Sequence, residues 1–241
     1  MSHALEVFVS STCHNLRDLR AALAEALRQL GMQPLLSDEA GFPHEVDIPP
    51  YATCLPVLET CLMVVGIVER AYGMKFDDWG PYPQYKGLSP THAELRHALD
   101  KGKKLYLYVQ KDVMAFYEQW RRNKADFEKL KPPNGLDLAT LEMLSELKLR
   151  KPAPWIEQFD NVNDLIQSLR KQFVNEVFAR LRLDEERRRD QVQHYMEQLA
   201  KEKPEVRAQL SARLTEAVRN ELPQVIAEAA ATGSLVPEKK P

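Results

Sequence analysis

Residues 62–68 read Leu-Met-Val-Val-Gly-Ile-Val, seven apolar positions in succession with no polar alternation. The run is far short of the roughly 18 apolar residues a bilayer helix needs. It is what a strand covered on both faces requires, a situation found in parallel sheets wrapped by helices. The neighbouring pattern agrees. Leu5 to Val9, Gln33 to Leu36 and Leu105 to Val109 are further strand candidates. From Asn15 to Leu30, the residues Leu16, Leu19, Leu23, Ala26, Leu27 and Leu30 recur at three- and four-residue steps, the period of an amphipathic helix, and Gly31 closes it. Pro49-Pro50 can open a second helix continuing from Tyr51 to Thr60, with Pro56 disturbing its middle. Ser89-Pro90-Thr91-His92 opens a third, which Gly102 ends. Strand and helix alternate four strands deep, and this order predicts an α/β fold built on a parallel sheet.

Further along, a polar amphipathic helix is predicted over Asp112 to Lys131, a second over Leu136 to Lys148, and a last strand within Pro152 to Asp160. Asn161 to Asp164 caps a long helix reaching about Leu183. The domain boundaries expected are an α/β domain over 1–182, a helical tail over 183–232 and a disordered end over 233–241. The tail opens on the charge run DEERRRD at 184–190. Val192, Tyr195, Met196 and Leu199 then share a helical face, and after Pro204 the stripe resumes at Val206, Leu210, Leu214, Val218, Leu222 and Ile226. An isolated helix with such a stripe needs a cover, so self-association or a helical protein partner is expected there.

Composition removes several function classes. Lysine and arginine (33) nearly balance aspartate and glutamate (35), leaving a net charge of −2, which argues against a nucleic-acid binder. The N-terminus runs directly into a strand, with no secretory pattern, so a cytoplasmic protein without membrane contact is expected. Three cysteines, Cys13, Cys54 and Cys61, form no Cys-x-x-Cys pair, so neither a disulfide framework nor a zinc site is expected. Cys54 and Cys61 read as buried small residues. His92 and His97 read as solvent-facing, and with no third ligand in view no metal is expected. P-loop, GxGxxG, GxSxG and HExxH motifs are absent.

Three stretches carry candidate chemistry, each with a plain structural alternative. Ser10-Ser11-Thr12 ends the first strand at a helix start: a cap, or a polar cradle for a phosphate or ribose outside the carboxyl ends of the strands. Glu94, three residues after Thr91, completes a capping box, or it is a carboxylate facing the crevice, where it could stabilise positive charge on a ribose during glycosidic cleavage. Arg70-Ala71-Tyr72-Gly73 is an ordinary strand exit, or it supplies a cation for phosphate, a ring for stacking and a close backbone turn. The long aromatic loop behind it, with Trp79, Tyr82 and Tyr85, is of the length often associated with function. Asp38, Ser89 and Thr91, at the ends of the same elements, join Ser10, Ser11, Thr12, Arg70, Tyr72 and Gly73 as candidate nucleotide-binding residues, with Glu94 as the candidate catalytic one.

VFVSSTCHNLRDLRAAL at 7–23 resembles the opening of a TIR-like family catalogued as domain of unknown function 4062. Gly66 to Gly73 is similar to that family's strand exit, Ser89 to Ala98 to its Ser-x-Thr-x-x-Glu helix, and Lys103 to Val109 to the strand that follows. Where the family has Arg before Tyr-Gly, this chain has Ala71, with Arg70 one place earlier. The resemblance spans roughly residues 5–180. It implies a flavodoxin-like, TIR-related fold of a kind often found ahead of NACHT or other STAND ATPase modules in defence and signalling proteins. It also implies N-glycosidic chemistry on NAD or a related nucleotide, with Glu94 at the position of the family's helix-borne glutamate, Ser10, Ser11 and Thr12 as crevice hydroxyls, and Tyr72 near the base. Two readings follow: an NAD or nucleotide N-glycosidase, or a nucleotide-sensing or assembly module without turnover.

Overall fold

In a computed structural model, residues 5–12, 16–129 and 135–201 and the single positions 212 and 216 are described. Five strands, β1 (Leu5–Ser10), β2 (Met32–Leu35), β3 (Met63–Val68), β4 (Lys104–Gln110) and β5 (Trp155–Phe159), form one sheet in the order β2-β1-β3-β4-β5. Every pairing is parallel. This is the flavodoxin-like order, in which the chain reverses its direction of winding between β1 and β3.

The helices are α1 (Arg17–Gln29), α2 (Cys54–Thr60), α3 (Pro90–Asp100), α4 (Lys111–Arg122), α5 (Lys124–Lys129), α6 (Leu138–Leu149) and α7 (Val162–Lys201). Alternate strand residues feed two cores. Val7, Val9, Val65, Ile67 and Tyr108 pack with Leu23 and Leu27 of α1 and with Leu165 and Leu169 at the start of α7. Phe8, Val64, Leu107 and Val109 pack with α2, α3, α4 and α6 through Leu58, Leu95, Trp120 and Leu144. All six residues of β3 are buried, as its unbroken apolar run requires. The long loop carries a small core of its own, in which Trp79 and Tyr85 pack on Ala52, Leu55 and Ala93, and Tyr51 stacks on Phe76 with ring centres 4.0 Å apart. Its aromatics thus anchor the loop.

Several boundaries differ from expectation, each for a local reason. The helix expected over Asp112 to Lys131 is two: Asn123 leaves helical geometry and its side chain accepts from the Asp126 amide (3.3 Å), starting α5. Helix α2 begins at Cys54, which puts Pro56 in the first turn, where its missing N–H has no helical acceptor to lose. Helix α7 does not stop near Leu183 but runs through the charge run to Lys201; Glu and Arg are strong helix formers, and Glu176 and Arg180 pair across one turn at 3.3 Å. The tail stripe from Val206 to Ile226 and the end from Gly233 to Pro241 lie outside the described residues, as do Cys13 and His14.

The chain divides into two compact units, 1–173 and 174–241. The first holds the sheet. Among the described residues of the second, the helix continues to Lys201 with Val174, Val177, Phe178 and Leu181 exposed. Among the described residues, no helix is long and apolar enough to cross a membrane.

Gly66 sets how closely α3 approaches the sheet. It pairs with Ser10 on one side and Leu107 on the other, and a Cβ at this position would lie 2.5 Å from Leu95 Cδ2 and 2.8 Å from Leu107 Cδ1. Leu95 adjoins Glu94, so the missing side chain lets the helix carrying Glu94 settle against β3. Gly66→Ala is expected to destabilise the fold by about 1–3 kcal/mol through overpacking, read as a shift of the urea midpoint at constant slope.

Candidate active site

The hydroxyl cluster splits between the two faces of the sheet. Ser10 points to the α3 side and donates to Glu94 Oε2 at 2.6 Å, both side chains being buried. Ser11 points to the α1 side and accepts from Arg20 Nη1 at 2.7 Å. Neither Ser11 nor Thr12 caps α1, whose N-cap residue is Leu16, without a side-chain bond. Thr12 Oγ1 is buried and has no hydrogen-bond partner among the described residues. It lies where β1 meets the β3 exit: a β-carbon at Gly73, whose φ is +87°, would fall 3.6 Å from the Thr12 methyl and 3.7 Å from Ser89 Cβ. A β-carbon could not take that backbone angle without strain, so a glycine is required there.

Glu94 is not the acid of a capping box. Pro90 occupies the first helical position, which makes Ser89 the cap; its hydroxyl accepts from the His92 amide at 3.3 Å. Thr91 is then buried in the first turn, and Glu94 falls more than a turn inside α3, directed at Ser10. Burial pushes the Glu94 carboxyl up to about 7, against the opposing pull of hydrogen bonds from Ser10 and Cys54 and of the Arg20 charge. A carboxyl held near neutrality can bear either charge state at working pH, a common property of catalytic acids and bases.

His92 and His97 are buried, not solvent-facing. Each ring is bonded at both nitrogens: His92 Nδ1 to the Tyr72 hydroxyl (2.7 Å) and Nε2 to Glu146 (3.1 Å), and His97 Nδ1 to the Tyr85 hydroxyl (2.8 Å) and Nε2 to Glu59 (2.9 Å). Burial lowers both imidazoles below their ordinary range despite the carboxylates. The two phenols come from the long loop and its approach, so α3 is tied to α2, to α6 and to that loop. The Tyr72 ring is therefore buried rather than presented, and its amide donates to Asp137 at 2.8 Å. Arg70 is held by Asp112 through Nε at 2.9 Å, while its carbonyl accepts from the Asp137 amide and the Thr140 hydroxyl. Asp38 pairs with Arg20 at 2.5 Å; burial raises its carboxyl, but the Arg20 hydrogen bond and charge bring it net below the usual range.

The structure thus brings Ser10, Thr12, Gly73, Ser89 and Glu94 to the carboxyl ends of β1 and β3, and directs Arg70, Tyr72 and Asp38 to protein partners. Arg20 and Cys54 are the residues sequence reasoning missed. Arg20 was visible as an arginine on the apolar stripe Leu16-Arg20-Leu23-Leu27, a position that calls for a buried partner. A cavity of about 620 Å³ elsewhere, on β5 between Met114, Lys148 and Trp155, is lined by none of the candidate residues.

A family model described as Domain of unknown function (DUF4062) matches residues 6–174. The chain belongs to this family. Its matched span coincides with the sheet-bearing unit and ends within α7. No curated protein matches the chain. Among solved structures, it is similar to a de novo designed Rossmann 2x3 fold protein (10% identity, TM-score 0.36, covering 72% of this chain and 91% of that one). It is also similar to the Clostridium botulinum CMP N-glycosidase BcmB (11%, 0.38, 69% and 98%) and to a conserved protein from Enterococcus faecalis V583 (15%, 0.38, 70% and 99%). These likenesses are too distant to bear on function within the DUF4062 family.

Proposed function

We propose that the α/β unit binds a nucleotide at the crevice between β1 and β3 and cleaves its N-glycosidic bond, NAD being the first candidate substrate. The observation that carries this reading is the Ser10–Glu94 contact at 2.6 Å, at the point where the sheet changes its winding. Cleavage of such a bond places positive charge on the ribose, and a carboxylate beside the anomeric carbon lowers that barrier. Ser10 would orient Glu94 and favour its ionised form, while Thr12 Oγ1 offers an unmet hydrogen bond to a ribose hydroxyl or phosphate. Nicotinamide leaves NAD as a neutral group, so no separate acid is needed; water then bonds to the anomeric carbon of the ribosyl cation and gives up its proton to the Glu94 carboxylate or to solvent. The defence or signalling setting that the TIR-like resemblance implies belongs to this reading.

The test is release of free base from NAD, NADP and nucleoside monophosphates by wild type and Glu94→Gln. A loss of roughly 100-fold or more in the variant is expected. Equal release, or none from either protein with every substrate, would remove the catalytic role.

A second reading, a nucleotide-sensing module without turnover, is favoured by the saturation of Arg70, Tyr72 and Asp38 with protein partners. Under it, a nucleotide raises the melting temperature and is recovered unchanged.

A further inference from the structure

We infer that residues 174–199 of α7 form an antiparallel helix pair with a second copy of this chain, about a two-fold axis passing between Glu186 and Arg187. The helix is continuous from Val162 to Lys201. Val174, Val177, Phe178, Leu181 and Val192 are between 41 and 60% exposed. At about 100° per residue they fall in one stripe roughly 100° wide. Leu181 and Val192 are eleven residues apart, three turns, so the stripe stays in line across the charge run. The sequence continues it with Tyr195, Met196 and Leu199.

The identity of the partner comes from the symmetry of this segment. Reflection about the point between Glu186 and Arg187 exchanges Leu181 with Val192, Phe178 with Tyr195, Val177 with Met196 and Val174 with Leu199. Every apolar position of the stripe exchanges with an apolar one; Leu183, on the opposite face of the helix, exchanges with Asp190. At the centre of the charge run the same reflection exchanges Glu185 with Arg188, Asp184 with Arg189 and Glu186 with Arg187, acid with base in each of these three pairs. Glu185 and Arg188 are exposed and fall within the angular limits of the apolar stripe, so in the pair each would face the other across the seam, twice by symmetry. An unrelated partner has no need of a segment that is its own complement. A parallel copy would set Glu185 on Glu185 and Arg188 on Arg188, which like-charge repulsion disfavours. The segment spans roughly 39 Å at 1.5 Å per residue, long enough for a stable two-helix seam.

Sedimentation equilibrium on the full chain tests this. Wild type is expected to be a dimer at micromolar concentration. Glu185→Arg alone and Arg188→Glu alone are each expected to weaken dimerisation by about tenfold or more, without changing the melting of the α/β unit. An equimolar mixture of the two single variants is expected to regain the dimer, because every facing pair is again acid on base; so is the double swap in one chain. In a Cys13→Ser background, Leu181→Cys mixed with Val192→Cys is expected to cross-link between copies, with neither forming a disulfide-linked dimer alone. Wild type remaining a monomer at about 100 µM would overturn the inference, leaving the stripe to another segment of the chain or another protein. So would single swaps that dimerise like wild type, a mixture that stays monomeric, or a Leu181→Cys chain that cross-links to itself.

Discussion

Glu94→Gln is expected to make the protein more stable at pH 8 and no more stable at pH 4.5. The wild-type carboxyl titrates at about 7 in the fold against an ordinary value of 4.5. A raised folded value means that the native state holds the proton more tightly than the unfolded chain. Its stabilising contribution is therefore complete below about pH 4.5, declines between 4.5 and 7, and is gone above 7. The difference is worth roughly 3 kcal/mol. Glutamine keeps the shape and can still accept from Ser10, but it cannot ionise; after allowance for weaker neutral hydrogen bonds, a net gain of roughly 2 kcal/mol is expected at pH 8. Urea unfolding of both proteins at several pH values reads this directly. Parallel stability curves from pH 4.5 to 8 would mean that the carboxyl does not change charge there. A variant that is both more stable and inactive would mark Glu94 as a group kept for chemistry at a cost to the fold.

Arg20→Met should act in the opposite direction. Arg20 is 2% exposed and joins Ser11 at the end of β1 to Asp38 beyond β2. Methionine fills much of the volume but removes the Arg20 hydrogen bond from the buried Ser11 hydroxyl and the Arg20 charge from the half-buried Asp38 carboxylate. Because Asp38 keeps access to water, the loss should be nearer 2 kcal/mol than the 3–5 of a fully buried broken pair. The pH dependence carries the signature. Asp38 is held below its ordinary value of 3.8, so its contribution is present above that pH and is lost as pH falls through the folded value. Removing Arg20 takes away the side-chain hydrogen bond and the nearer charge, so burial is opposed only by a backbone hydrogen bond and the Arg17 charge, and the carboxyl rises. The acid limb of the stability curve should therefore shift to higher pH in the variant, and an unshifted limb would show that Asp38 does not depend on Arg20.

How much of this was legible in the chain depends on the range of the interaction. The run at 62–68 and the alternation around it come from period and burial, which are local, and both led to the parallel sheet. A helix end was blurred where a single side chain decided it, as at Asn123, whereas the start at Ser89-Pro90 was legible. Partners distant in sequence were not legible from spacing. Ser10 and Glu94 are 84 residues apart; the helix start marked Glu94 but left it open between a capping-box acid and a crevice carboxylate, and nothing in the spacing pointed to Ser10. His92 and His97 looked like surface residues because nothing near them in sequence announces Glu146 and Glu59, which satisfy them across helices. The antiparallel self-complementarity of α7 lay in the sequence throughout, but it becomes meaningful only once the charge run is seen to be helical and not a break.

The paired imidazoles of α3 have a consequence for how a ligand would be met. Each ring is bonded on both sides, to a phenol and to a carboxylate from different elements, so the helix cannot turn about its axis without breaking four hydrogen bonds. Glu94 rides on that helix between the two. On the proposed reading, a small molecule bound at this end of the sheet would meet a carboxyl already fixed against Ser10, with little entropy left to lose on ordering it, so recognition there should be closer to lock-and-key than to folding around the guest.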